Sequence, residues 1–388
     1  MKLGDKLIVD IIDEDNIGNG IAKINNIVIF VKYALLNEKI EVELIDIKKR
    51  YYIAKIINII KSSDKRINVI CPNYDKCGGC NFLHTTYSNE RDIKLKYLES
   101  LFNTKINYLN TNNELNYRNK VVLHVLKGKL GFFNDKTHEL CNLDSCYLLN
   151  PKINSKISEL NNLDLNNITD IMIRCINNKI MININGNIEY FNIDCDSLYI
   201  NNKYIKGEEY LIDKIDNYKF SIYPESFYQV NKEGMINVYN EAKKYIDKNE
   251  SLLDLYCGTG TIGIWNSSNN KSVTGIEINK SSIENAKINL KLNNIKNIKY
   301  ICDDASNVKG LFDVIVVDPP RSGLASKKII NYLNNSNTKK IVYISCNPNT
   351  LKRDVDNLTN YKLVHLSCAD MFPRTKHIEC ICVLERKN

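Results

Sequence analysis

No stretch of this sequence approaches the roughly 18 apolar residues that a membrane-spanning helix needs, so a membrane partner is not expected. The opening MKLGDKLIVDIIDED carries acids within its apolar run, unlike a secretory signal, and the expected location is cytoplasmic. No segment repeats at a fixed period. Excess charge is also modest: a formal +8 favours an anionic partner only mildly, and a solvated lysine-rich surface explains it about as well. In a reducing compartment disulfides are rare, so the thirteen cysteines are core thiols, metal ligands or reactive groups. What is present is a 388-residue chain, 44% hydrophobic and 25% charged, with room for two or three domains. Its abundant asparagine, isoleucine and lysine read as codon bias without functional weight.

Residues 1–61 alternate apolar and polar positions (KLIVDII, GIAKI, IVIFV, KIEVELIDI, YYIAKIINI) around a Gly18/Gly20 turn, the pattern of a small β-barrel. SSDKR (62–66) reads as a linker, followed by a cysteine-bearing loop at 71–80 and a helix-like SNERDIKLKYLESLF. Residues 117–223 return to strand patterns. These give a central β-rich domain over 67–223 and a third domain over 224–388, where apolar strands alternate with helices. That alternation implies a doubly wound, mostly parallel α/β sheet with ligands at the carboxyl ends of its strands.

DLYCGTGTIG (254–263) holds Gly258, Gly260 and Gly263 in GxGxxG spacing, which dinucleotide sites also use. The acids tilt the reading. Asp254 would repel a pyrophosphate but can orient the amino group of S-adenosylmethionine. Glu277, ending the next strand, can take both ribose hydroxyls, and Asp303 and Asp304 can reach the adenine amine. Singly, each acid is as well explained as a solvated or capping carboxylate. As a set they suit a cationic sulfonium. Cys257 reads as a packed small side chain.

VVDPPRSG (316–323), ISCNP (344–348) and HIEC (377–380) can converge on the same pocket. Methylating a pyrimidine at carbon 5 requires a thiolate to add at carbon 6 and a base to remove the carbon 5 proton. Cys346 is the candidate nucleophile and Glu379 the candidate base. Core packing is the commoner fate of a strand cysteine, but the Asn347-Pro348 break argues against it. Arg321 and Arg374 are cations able to lower the thiol pKa or hold phosphates, and Asp318 can hydrogen-bond the base's imide edge. Cys368, Cys380 and Cys382 are assigned to the core.

SFYQVN (226–231), DLYCGTG, DPPRSG, YISCNP and DMFPRTKHIE (370–379) together resemble the RNA (uracil-5-)-methyltransferase family in order and spacing. The resemblance implies a Rossmann-like class I methyltransferase domain in which Cys346 is the nucleophile and Glu379 the proton-abstracting base. It places Gln229, Tyr256, Glu277 and Asp318 at S-adenosylmethionine contacts, with Asp304 added from the reading of the acids. The similar cytosine-5 RNA enzymes carry Pro-Cys where this chain has DPPR, which favours uracil.

CPNYDKCGGC places Cys71, Cys77 and Cys80 in one short loop, with Cys141 or Cys146 available as a fourth ligand. Four thiolates suit zinc or an iron–sulfur cluster equally by spacing, and the pattern is not the CxxxCxxC of radical enzymes. Ribosomal-RNA members of the family carry a similar set holding a 4Fe–4S cluster. The resemblance places the fourth ligand at Cys146, in CYLLNP. The amino-terminal barrel resembles a TRAM domain, an OB-like RNA-binding module. It departs from it at Leu36-Asn37-Glu38, where Pro-Gly-Glu is usual. KKRYY (48–52) is either a solvated strand end or an RNA contact. The resulting expectation is a monomer that makes 5-methyluridine in RNA, most of all 23S ribosomal RNA. Transfer RNA uracil and, less so, RNA cytosine-5 are the alternatives.

Overall fold

The computed structural model describes residues 1–134, 137 and 139–387. The chain divides into two compact units, residues 1–104 with 134–141 and 372–377, and residues 105–133 with 142–371 and 378–388. No helix among the described residues is long and apolar enough to cross a membrane.

The first unit contains a six-stranded sheet in the order Lys6–Asp10, Lys39–Ile47, Tyr51–Lys61, Ile27–Lys32, Asn19–Ile24, Asp13–Glu14. Alternate residues Ile29, Val31, Ile40, Val42 and Leu44 bury one face, as period-two patterning requires. Register shifts between Lys39–Ile47 and Tyr51–Lys61 bend this long pair. Gly18 sits at φ +86°, where a β-carbon would lie 2.7 Å from the Asn81 carbonyl, so glycine is required there.

Residues 62–66, read as a linker, are anchored at their end. Arg66 donates through Nε and Nη2 to the buried Glu38 carboxylate at 2.5 and 2.7 Å, and through Nη2 to the Tyr33 carbonyl at 2.7 Å. Glu38 also accepts from the Leu35 N–H at 2.8 Å. The predicted helix runs Tyr87–Phe102, capped by Thr86, which accepts from the Asn89 N–H.

In the second unit a sheet runs Lys129–Phe133, Lys120–Leu126, Ile168–Ile176, Lys179–Gly186, Ser197–Ile200, Lys203–Gly207. Helix Pro151–Leu160, begun by an Asn150 cap and a proline in its first turn, lays Ile153, Ile157 and Leu160 on that sheet. A hairpin, Leu211–Ile215 with Tyr218–Ile222, follows.

The largest sheet orders its strands Ile298–Cys302, Ser272–Glu277, Ser251–Leu255, Val314–Val317, Lys340–Ser345, Glu379–Arg386, Tyr361–Ala369, Asn107–Leu109. The first five are parallel, and Glu379–Arg386 inserts antiparallel to its neighbours. Val314–Val317 and Ile341–Tyr343 have no exposed surface, as expected of strands covered on both faces. The strand order reverses between Ser251–Leu255 and Val314–Val317. Their carboxyl ends, carrying Tyr256 and Asp318, therefore flank the switch point where such sheets bind ligands.

Candidate active site

The glycine loop leaves strand Ser251–Leu255 through three left-handed residues, Tyr256, Gly258 and Gly260. Gly260 is irreplaceable on steric grounds: a β-carbon would stand 2.2 Å from the Tyr300 hydroxyl, which donates to the Gly260 carbonyl at 3.0 Å. Asp254 is fully buried. Its Oδ2 accepts from the Gly263 N–H at 3.0 Å, while Oδ1 has no partner among the described residues. Burial, then the nearby Asp318, pushes its pKa up to about 8. A buried, orphaned carboxylate oxygen at the strand's end fits a ligand that brings a positively charged donor.

Glu277 holds the loop from the neighbouring strand, accepting from the N–H of Gly258 at 3.2 Å and of Asn279 at 2.8 Å. Asp303 and Asp304 are exposed, and both act as capping carboxylates. Asp304 accepts from the Ser306 N–H at 2.7 Å, and Asp303 accepts from the Asp304 N–H and from Asn307 Nδ2. These hydrogen bonds lower both pKa values. Asp304 still stands close enough to Tyr256 to raise its phenol, behind burial as the main cause.

Cys346 follows strand Lys340–Ser345, and Asn347 caps helix Pro348–Asn357 by accepting from the Asn349 N–H at 3.1 Å. That helix also fixes the DPPRSG loop. Asn347 Nδ2 and Thr350 Oγ1 each donate to the Arg321 carbonyl at 3.2 Å, and the buried Asp354 accepts from the Leu324 N–H at 2.7 Å. Gly323, at φ +71°, is forced by Asp354, whose Oδ2 a β-carbon would approach to 2.3 Å.

Four charge-bearing groups converge there. The Cys346 thiol is half-buried, and burial and then Glu379 push its pKa up to about 11 against a downward pull from Arg321. Glu379 is buried at the start of its strand, and burial and then Asp318 hold its carboxyl well above the usual range. Asp318 keeps some solvent contact but is densely surrounded, which raises it to about 7. Arg321 acts in the expected direction but burial outweighs it. Arg374 lies buried in the first unit, its N–H bound to Glu90 at 2.8 Å and its Nη2 to the Thr85 carbonyl at 2.8 Å.

Gln229 lies in the segment 223–231. Asn119 fixes its backbone, Nδ2 donating to the Gln229 carbonyl at 3.0 Å and the main-chain N–H to that of Val230 at 2.9 Å. Sequence reasoning missed Tyr239. This buried phenol is within electrostatic reach of Asp318, Asp254 and Glu379, and its hydroxyl meets Thr261 Oγ1 in the glycine loop at 2.8 Å. Only its place in the folded helix Lys232–Lys243 brings it there.

Cys71, Cys77 and Cys80 surround the short helix Tyr74–Cys77, which Gly78 ends in a left-handed conformation. Cys141, in the same unit, is close enough to Cys71 to feel its charge. Cys146, in the second unit, packs against the core under helix Pro151–Leu160, its N–H donating to Asn154 Oδ1. Among the described residues no group of three or more His, Cys, Asp or Glu side chains that could hold a metal ion is found. Cys368, Cys380 and Cys382 are fully buried, and Cys257 is buried.

The tRNA (Uracil-5-)-methyltransferase family model matches residues 176–387, and the TRAM domain model matches residues 2–57. An uncharacterized RNA methyltransferase of Clostridium tetani is 33% identical, the match covering 95% of this chain and 93% of that protein. One from Clostridium acetobutylicum is 32% identical over 96% and 95%. The crystal structure of Pyrococcus abyssi tRNA (uracil-54, C5)-methyltransferase with S-adenosyl-L-homocysteine superposes with a TM-score of 0.83 at 25% identity. That superposition covers 97% of this chain and 99% of the other.

Proposed function

The chain belongs to the tRNA (Uracil-5-)-methyltransferase family and is an S-adenosylmethionine-dependent RNA methyltransferase, and from this premise we propose how it acts and on which RNA. Cys346 is the nucleophile, Glu379 the base, and Gln229, Tyr256, Glu277, Asp304 and Asp318 hold the cofactor. The carrying observation is the convergence of thiol, Glu379, Asp318 and Arg321 at neighbouring strand ends.

S-adenosylmethionine supplies an electrophilic methyl group and a positive charge. Asp254, Asp318 and Glu379 are raised acids, and a cation beside them favours their ionised forms. In the proposed reaction the Cys346 thiol first loses its proton to solvent, the sulfur then bonds to carbon 6 of uracil, and the electron pair of the 5,6 double bond passes into an enolate. Carbon 5 then takes the methyl group, leaving S-adenosylhomocysteine. Glu379 removes the carbon 5 proton, and the electrons of that bond expel the sulfur, restoring the double bond. A stacked base cannot reach such a site, so the target uridine is unstacked and flipped.

The proposed substrate is 23S ribosomal RNA, gripped by residues 1–61 and 67–223 while residues 224–388 carry the chemistry. The proposed enzyme is a monomer, and an RNA substrate suits a cytoplasmic location. The likeness to the archaeal tRNA (uracil-54, C5)-methyltransferase favours transfer RNA as the second reading. For Cys71, Cys77, Cys80 and Cys146 the proposal is a 4Fe–4S cluster, supported by three thiols on one short loop. No step of methyl transfer is assigned to it. Mapping 5-methyluridine by nucleoside mass spectrometry in ribosomal and transfer RNA from a strain lacking the gene tests the reading. Loss from 23S RNA supports it, loss confined to transfer RNA selects the second reading, and 5-methylcytidine loss overturns uracil specificity.

A further inference from the structure

Strand Tyr218–Ile222 pairs with Leu211–Ile215 on one side and with no strand on the other among the described residues. Its outward N–H and C=O groups therefore need other partners. Helix Lys280–Leu292 provides them through a row of asparagines. Asn293, at its end, accepts from the Lys219 N–H at 2.8 Å and donates to the Lys219 carbonyl at 2.7 Å. Asn289 accepts from the Ser221 N–H at 2.7 Å, and Asn285 donates to the Ser221 carbonyl at 3.0 Å. Four residues of helix advance about 6 Å and two residues of strand about 6.7 Å, so amides at every fourth helical position keep step with alternate strand residues. These asparagines replace a missing strand. Reading the chain's asparagine content as codon bias alone does not hold at these positions.

The row reaches both sides of the proposed cofactor pocket. Asn289 Nδ2 donates to the Thr259 carbonyl, within the glycine loop, at 3.0 Å. In the other direction Ser226 Oγ donates to Asn285 Oδ1 at 2.6 Å and accepts from the Tyr223 N–H at 3.0 Å. Arg174 then donates from Nη2 to the Ser226 carbonyl at 3.0 Å. Arg174 is wholly buried and makes no ion pair among the described residues, and its Nε and Nη1 have no partner there. A buried charge without a carboxylate is costly. Its one bond fixes the segment that bears Gln229.

We infer that Arg174, Asn285 and Asn289 are positioning residues that hold the Gln229 segment and the glycine loop at the separation S-adenosylmethionine requires. The inference rests on the reading of Gln229 as a cofactor contact. Removing Asn289 leaves a buried Ser221 N–H unsatisfied and detaches Thr259, a loss on the scale of one or two buried hydrogen bonds.

Calorimetric titration of the full-length protein with S-adenosylmethionine, well below each variant's melting temperature, tests it. N289A and R174M are expected to raise Kd about tenfold. KM for S-adenosylmethionine should rise in parallel while kcat at saturation changes less than about threefold, and R174K should recover part of the loss. If R174M does not fold, S226A, which cuts the Asn285 bond to this segment and leaves the Ser226 carbonyl to Arg174, carries the expectation for the network. Unchanged Kd in folded N289A and S226A overturns the inference, as does a fall in kcat with KM intact. Q229A separates the two claims. Unchanged Kd in Q229A alone overturns the Gln229 assignment, and weakened Kd in Q229A with normal binding in the network variants overturns only the network.

Discussion

Alkylation of Cys346 in the cofactor-free protein is the sharpest test of the site's electrostatics. The thiol pKa is pushed up to about 11, first by burial and next by Glu379. At pH 8 such a thiol is ionised in roughly one molecule in a thousand, against roughly one in four for an ordinary cysteine near pKa ~8.5. The deficit is about 240-fold. A more basic thiolate is also a better nucleophile, and a Brønsted slope of about 0.4–0.5 returns roughly 10- to 18-fold of it. Iodoacetamide should therefore modify Cys346 about 20-fold more slowly than the cysteine of an unstructured model peptide at pH 8. The rate should climb nearly tenfold per pH unit up to about pH 10. Arg321→Leu removes the larger of two downward pulls, the other being a backbone N–H, and should slow the reaction further. The measurement is mass spectrometry of the tryptic peptide carrying Cys346 across a pH series. A rate that levels off below pH 9, or that is indifferent to Arg321, would show an ionised thiol at rest and refute the reasoning.

C346A should abolish methylation while leaving S-adenosylmethionine binding within about twofold, checked by tritium transfer and calorimetry; substantial residual transfer would remove Cys346 from the chemistry. E379Q should accumulate a covalent RNA–protein adduct on a denaturing gel, because carbon 5 keeps its proton and sulfur cannot leave. Asp254 has a folded pKa near 8 against an ordinary 3.8, so the folded state holds a proton that the unfolded state has lost. Its contribution is fully present below about pH 4 and is lost as pH rises toward about 8. D254N should accordingly flatten the decline in melting temperature between pH 5 and 8, adding ~2–4 kcal/mol at pH 8 while weakening cofactor binding. Anaerobically purified protein should contain iron and sulfide, which C71S/C77S removes; zinc instead would replace the cluster proposal.

The doubly wound sheet was legible because each strand is short, apolar and closed by a local motif. GxGxxG, DPPR and SCNP each sit where a strand must stop, so Asp254, Asp318 and Cys346 could be placed at one end of the sheet. What was not legible depends on partners far apart in the chain. That Asp303 and Asp304 also cap the turn after their strand, through Asn307 and Ser306, is revealed only by the turn's conformation. Whether Arg321 or burial governs Cys346 is a balance of opposing effects that residue identities do not weigh. Tyr239, Asn285 and Asn289 carry no motif, and their roles exist only once a helix face meets a loop or an unpaired strand edge. Arg374 sits within a recognisable motif, yet its guanidinium serves Glu90 and Thr85.

The Arg66–Glu38 pair bears on how the first sheet comes into being. Its last strand ends at Lys61, but the carboxylate that anchors the Leu35 turn has its cation five residues further on. During synthesis the six strands would emerge with a buried anion still lacking its counter-ion. Breaking such a pair costs about 3–5 kcal/mol, much of the ~5–15 kcal/mol that holds a small domain together. A fragment cut at Lys61 should therefore melt at a lower temperature than one extended past Arg66.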